Sequence, residues 1–161
     1  MATQKVGAAL ASVGLLTDVD TVQRNPLGFT VQGDDGGWYT YLQGVASTAA
    51  GDFIIYNSAT YLTTRLVTTV AAGPVAVAMG AILLTNFGWY QVKGIVVSAN
   101  IATDASADGK PLYASSSAGR ATTTPASAAA IFGANGQGAS ASNVGNAYFS
   151  VNPFTMASAT L

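Results

Sequence analysis

The stretch Gly88-Trp89-Tyr90-Gln91-Val92-Lys93-Gly94-Ile95-Val96-Val97-Ser98 decides the fold class of this chain. It is the strongest run of aromatic and β-branched residues in the sequence, and residues of these types favour strands. Trp89 carries the largest apolar side chain in the stretch, so we expect it to be buried. The same core is expected to receive one or more of Val92, Ile95 and Val97.

Shorter strand patterns lie on both sides of this stretch. They are predicted at residues 38–45, 53–56, 65–70, 75–80, 111–114, 129–132 and 147–151. Short strands at spacings of 8–12 residues are typical of an all-β sandwich or barrel. We therefore predict an all-β fold, a compact sandwich or barrel of short antiparallel strands. Glycine and aspartate predict loops between the strands, at residues 32–37, 104–109 and 133–145.

The sequence divides into three parts. Residues 1–26 have only a weak helical pattern, interrupted by Gly7 and Gly14, and are predicted to form an extended or partly helical N-terminal arm. Residues 27–153 form the β domain, and residues 154–161 a C-terminal tail. Within the domain, residues 37–65 and 88–120 share similar aromatic and glycine positions. This similarity indicates either a quasi-repeat or the chance convergence of two strand–glycine–strand segments.

The composition removes most kinds of enzyme. The 161 residues include no His, Cys or Glu, and only 8% are charged, against about 25% in ordinary soluble domains. The most frequent general base and the thiolate ligands of zinc are therefore missing. We predict that the protein is not an enzyme, with no catalytic, cofactor-binding or metal-binding residues. The aspartate pairs are interpreted as solvated turn carboxylates: Asp18 and Asp20, Asp34 and Asp35, Asp104 and Asp108.

Charge and hydropathy also limit the partners. Six scattered Lys and Arg residues, in a chain of net charge −1, do not form the basic patch that nucleic acid requires. No apolar stretch reaches the 18 or so residues of a membrane span, so we expect no membrane partner. The apolar run of residues 6–16 is diluted by Gly7, Ser12 and Gly14 and leads into Thr17-Asp18-Val19-Asp20 with no small-x-small cleavage site, so we expect no cleaved secretory signal.

The sparse charge has a consequence for the surface. Thirteen charged side chains on a folded surface of ~7,500 Å² leave wide neutral areas rich in small residues. Such a surface indicates a protein that works in an assembly, although Ser, Thr and Asn could also keep a monomer soluble. The apolar residues of the arm and tail are predicted to contact other chains: Leu10, Leu15, Leu16, Phe154 and Met156.

Several segments occur in an order that resembles small virion structural proteins of tailed bacteriophages, encoded near the major capsid gene. The segments are Gly44–Asp52, Gly73–Met79, Phe87–Gln91, Leu112-Tyr113 and Ala118-Gly119-Arg120. The resemblance extends over residues 25–153, and it rests on turns and strands rather than on chemical signatures. It implies a capsid decoration, or cement, protein that binds the outside of a phage head and stabilises it.

This resemblance implies the major capsid protein as partner, together with neighbouring copies of the chain, for which a trimer is one arrangement. It also implies a location on the capsid exterior after synthesis in the host cytoplasm. Two alternatives stay open. One is another virion part, such as a tail or fibre component or a receptor-binding module. The other is a bacterial surface or carbohydrate-binding domain, in which aromatic side chains such as Trp38, Tyr39, Trp89 and Tyr90 would form a stacking platform.

Overall fold

The computed structural model describes residues 14–69, 72–104, 107–125 and 129–155, and these residues form strands but no helix. The prediction of an all-β fold is confirmed. The eleven strands are β1 (Val19–Asp20), β2 (Thr30–Gln32), β3 (Trp38–Gln43), β4 (Phe53–Tyr56), β5 (Thr63–Arg65), β6 (Gly73–Ala78), β7 (Phe87–Asn100), β8 (Pro111–Ala114), β9 (Ala121–Thr122), β10 (Ala130–Ala141) and β11 (Val144–Thr155).

Strand β7 connects the parts of the sheet. Along its 14 residues it pairs with β1, β3, β6 and β11. The main strand order is β2-β3-β7-β6-β11-β10-β8-β9, and β4 joins β6 to β5. All pairings between these strands are antiparallel, while the isolated bridges Gln43–Leu62 and Ile101–Ala121 are parallel. The stretch that decides the fold class is thus also the strand around which the others assemble.

Strands β4 and β6 are buried on both faces. Val75 and Val77 alternate with Ala76 and Ala78, as the period of two in a strand requires. The valines join the largest core cluster, which is completed by residues such as Phe53, Val96, Leu112, Ile131 and Phe149. The two alanines join a second cluster on the opposite face, with Leu42, Ile54, Ile82, Tyr90 and Val92.

A third cluster surrounds Trp89, which is 1% exposed and confirms the prediction of its burial. Tyr41 meets the Trp89 ring edge-on at a centroid distance of 5.1 Å. Leu16 is also in this cluster and is fully buried. Residues 14–26 of the predicted arm therefore lie against the β domain and include strand β1, whereas residues 1–13 lie outside the described residues.

The second half of β7 departs from the predicted alternation. Tyr39 is paired with Gln91 and Trp38 with Lys93, so Val92 is the additional residue of a β-bulge. Beyond the bulge a period of two counted from Trp89 no longer applies. Of the three candidates for the core, Val92 is buried, in the cluster next to that of Trp89, whereas Ile95 and Val97 are not. Both are at least half exposed, and the residues that turn inward are Val96 and Ala99.

The predicted glycine-rich loop at residues 133–145 is also wrong, because this segment is the hairpin of β10 and β11. Gly133 has a φ of 79° beside a register shift, where a bulge accommodates it within the strand. Gly136 is required for another reason, since a Cβ atom there would lie 2.5 Å from the carbonyl oxygen of Ala107. Ser142 and Asn143 form the two-residue turn with positive φ, the geometry that tight hairpins favour.

Candidate interaction surface

Six large apolar side chains lie exposed on the strands β7, β10 and β11. Each is between 41% and 61% exposed, although neighbours on the same strands are fully buried. We call this surface the outer face, and its residues are Ile95, Val97, Phe132, Val144, Tyr148 and Phe154. Apolar side chains that line one exposed side of a sheet mark an interaction site more often than isolated ones do.

The strand register brings four of these six side chains together in two groups. Ile95 is directly opposite Tyr148 in the β7–β11 ladder. Phe132 is directly opposite Phe154 in the β10–β11 ladder, and their rings stack at 5.2 Å with an interplanar angle of 22°. On β10, Asn135 is the partner of Tyr148, so about 10 Å of strand separates the two groups.

The outer face lacks charge on most of its strands. Strands β10 and β11 contain no Asp, Glu, Lys or Arg in their 24 residues. On β7 the one charged residue is Lys93, which is exposed in the middle of the strand, two positions before Ile95 and opposite Trp38 of β3. The polar side chains beside the apolar ones include Asn135 and Asn146, both exposed. The surface is therefore suited to an uncharged partner.

The predicted partner-contact residues have different fates. Phe154 is exposed and belongs to the outer face. Leu15 is half-buried, and Leu10 and Met156 lie outside the described residues. The prediction that Leu16 contacts other chains is corrected. Its side chain is fully buried and packs against residues of its own chain, which are Val31, Tyr39, Tyr41 and Trp89.

Sequence reasoning missed most of the outer face. Ile95 and Val97 are two of the three candidates of which one or more is predicted to enter the core. Phe132, Val144 and Tyr148 are predicted to lie in weak strands or in a loop. A usable signal was present nevertheless, since residues 121–161 contain no charged residue at all. A long uncharged segment that still forms strands is unusual at a fully solvated surface.

The aromatic residues that could have formed a stacking platform are mostly internal. Tyr39, Trp89 and Tyr90 are fully buried. Trp38 is the exception at 38% exposed, opposite Lys93 in the β3–β7 ladder. Stacking on a sugar ring or base requires an accessible face, so three of these four aromatic rings are excluded from such a role.

A network of polar and charged side chains surrounds the buried carboxylate of Asp52. The Asp52 carboxylate is 1% exposed and accepts hydrogen bonds from Arg65 Nε at 3.0 Å and Asn100 Nδ2 at 3.0 Å. The Arg65 Nη2 atom lies 2.9 Å from the same carboxylate and also donates to the carbonyl oxygen of Ala118. Asn100 Oδ1 accepts from Arg120 Nε at 3.1 Å.

This network has a structural role. It joins Asp52 at the start of β4 to the turn before β9, two segments that are 66 positions apart in the sequence. A Cβ atom on Gly119 would lie 2.6 Å from Asp52 Cγ, so the turn packs directly on the carboxylate. Because the Asp52 charge is paired and hydrogen-bonded within the chain, it serves stability rather than ligand binding.

Two further carboxylates hold tyrosine hydroxyl groups. Tyr41 Oη donates to Asp20 Oδ2 at 2.7 Å, and Asp20 also pairs with Arg24 at 3.0 Å. Burial, and then the hydrogen bond to Asp20, raise the pKa of Tyr41 to about 12. Burial likewise raises the pKa of Tyr39, which donates to Asp35. These phenols stay protonated and act as fixed donors at neutral pH.

The interpretation of the aspartates as solvated turn carboxylates holds in part. Asp18 is exposed and accepts the backbone N–H of Leu15, and Asp108 is exposed and accepts that of Gly138. Asp20 is not a solvated carboxylate, since it is 8% exposed and accepts a hydrogen bond from Tyr41. Asp104 is half-buried and pairs with Lys110 at 2.9 Å.

Within the described ranges, no group of three His, Cys, Asp or Glu residues has the arrangement of a metal site. Those ranges likewise contain no helix of the length and hydropathy needed to cross a bilayer. Comparisons with protein-family models, curated proteins and solved structures found no match to this chain.

Proposed function

We propose that this protein is a non-enzymatic capsid decoration, or cement, protein that binds the outside of a phage head and stabilises it. The observation that supports an interaction role is the outer face, an uncharged apolar surface on a folded β domain. The identity of the particle comes from the resemblance to virion structural proteins of tailed bacteriophages over residues 25–153.

A decoration protein works through number rather than through the strength of one contact. Each copy bound to a shell is held beside other binding sites, so modest contacts act at a high effective concentration. In this proposal the partners are the major capsid protein and neighbouring copies of the chain, on the exterior of a virion assembled in the host cytoplasm. No bound cofactor, nucleic acid or membrane takes part.

The finer architecture belongs to the same proposal. We infer a compact sandwich or barrel. Strands β4 and β6 have core clusters on both faces, and the outer face is the side of β10 and β11 that is directed away from the core. A rigid domain of this kind suits a cement protein, since a shell is stabilised only by a part that resists deformation. The quasi-repeat of residues 37–65 and 88–120 stays a prediction.

The test is a binding experiment with separated particle parts. Purified protein is mixed with phage heads that lack it, with isolated tails, and with host cells bearing their surface glycans. We expect saturable binding to heads and a higher temperature for release of DNA from them. Binding to tails or to cells, with none to heads, would contradict the proposal and favour the other virion part or the carbohydrate-binding domain.

A further inference from the structure

We propose that the outer face is the surface through which two copies of this chain bind each other, each copy presenting the same face. Although this inference rests on the proposed function in treating the chain as part of an assembly, it names a partner that the function alone leaves open. The partner is a second copy of the chain, and the contact is made by the side chains of β7, β10 and β11.

The absence of charge is the first argument for this partner. Strands β10 and β11 present no charged residue, so a charged partner surface would lose its hydration there without finding a counter-ion. The partner surface must therefore be uncharged and apolar as well. The outer face of a second copy meets both conditions.

The area is the second argument. Six large side chains, each about half exposed, present on the order of 600 Å² of surface. This area is at the upper end of the range for the largest apolar patch on a typical monomer, which is roughly 300–600 Å². With the neighbouring polar residues it approaches the roughly 800 Å² per partner of a stable interface.

The strand edges supply the third argument, because the strands at the ends of the described sheet are short. The strand order ends at β2 and β9, which have three and two residues, and β5 has three. Strand addition from a second copy requires a longer row of free backbone groups than these provide. Association through the face of the sheet is therefore favoured over association through an edge.

Contact between two identical faces requires a two-fold axis, and it closes at two copies. Tyr148 is suited to the centre of such a contact. It is directly opposite Ile95, and along β10 it lies about 10 Å from the stacked pair Phe132 and Phe154. An aromatic side chain surrounded by apolar neighbours has the character of an interface hot spot.

Sedimentation equilibrium on the purified full chain tests this inference. The parent protein is expected to have twice the 16.2 kDa mass of the chain. Tyr148→Lys and Tyr148→Asp should each raise the dissociation constant of the dimer at least about thirtyfold. An equimolar mixture of the two variants should recover the dimer, since opposite charges then meet across the axis. Val97→Lys is a second variant of the same face and should act in the same direction.

The matched control is Leu84→Lys, which adds the same charge at an exposed leucine away from the outer face and should leave the dimer intact. Far-UV circular dichroism checks that each variant is folded. A monomeric parent, a trimer, dissociation by the control, or a mixture that fails to recover the dimer would each overturn the inference. The sedimentation experiment uses no phage particle, so its result does not depend on binding to heads. A protein that dimerises in it but fails to bind heads would contradict the proposed function and leave this inference intact.

Discussion

At the residue scale, the position of Val92 decides what the strongest strand exposes. Its bulge lies between the buried half of β7, which contains Trp89, and the half that presents Ile95 and Val97 to solvent. The sequence was sufficient to predict the burial of Trp89, because a large aromatic residue in a strand is usually internal. It could not predict the bulge, since the extra residue is defined by pairing with β3, a contact remote in sequence.

The two tryptophans provide the first prediction at this scale. Trp89→Ala should destabilise the fold by about 3–5 kcal/mol, because it leaves a cavity among Leu16, Tyr41 and Phe29. Trp38→Ala is the control, and at an exposed position it should cost about 1 kcal/mol or less. Urea unfolding of both variants measures the difference. Equal losses of stability would contradict the assigned core.

Tyr41 provides a prediction on alkaline pH. The folded pKa is about 12 against 10 in the unfolded chain, so the stabilisation is complete below pH 10. As the pH rises from 10 to 12, the unfolded chain loses the proton first and this contribution disappears. The melting temperature should therefore fall over this window, and the fall should be shallower in Tyr41→Phe. An identical pH dependence in the variant would show that Tyr41 does not contribute.

At the scale of elements, the β10–β11 hairpin shows how tertiary contacts outweigh local preference. The glycines predict a loop over residues 133–145, but bulges and a close approach to Ala107 place them within strands. Residues 53–56 and 111–114, by contrast, are predicted with the bounds observed, because apolar residues favoured in strands coincide with burial throughout the first segment and at Leu112 and Ala114 of the second. Prediction succeeded where local preference and packing agree.

Gly136 tests the close approach in this hairpin. Gly136→Ala would place a methyl group 2.5 Å from the backbone oxygen of Ala107, and the necessary shift should cost about 1–3 kcal/mol. Asn135→Ala, at the adjacent exposed position, is the control and should change stability by about 0.5 kcal/mol or less. Thermal unfolding measures both. If the Gly136→Ala variant were as stable as the control, the close packing of β10 on the backbone of Ala107 would be contradicted.

The N-terminal segment is a second element that can be tested. Leu16 belongs to the core, so a deletion that removes it should destabilise the domain. A shorter deletion, of residues 2–13, leaves this core residue in place. It should nevertheless reduce the occupancy of the protein on phage heads, because Leu10 is predicted to contact other chains. Unchanged occupancy would show that this segment is dispensable.

At the scale of the whole molecule, a few polar contacts hold together a chain that has very little charge. The Asp52 network joins β4 to the turn before β9, and it includes two of the six cations in the sequence. The uncharged strands β10 and β11 then leave their apolar outer side accessible. The composition predicts a neutral surface, but only the strand register shows which residues form that surface.

The most direct test of the central claim is a cryo-electron-microscopy map of the phage particle that carries this chain, at a resolution that traces strands. Our account predicts density for the eleven-stranded domain on the outer surface of the head, repeated with the symmetry of the capsid lattice and in contact with the major capsid protein. A head without such density, or the same domain found only in the tail or in fibres, would contradict it.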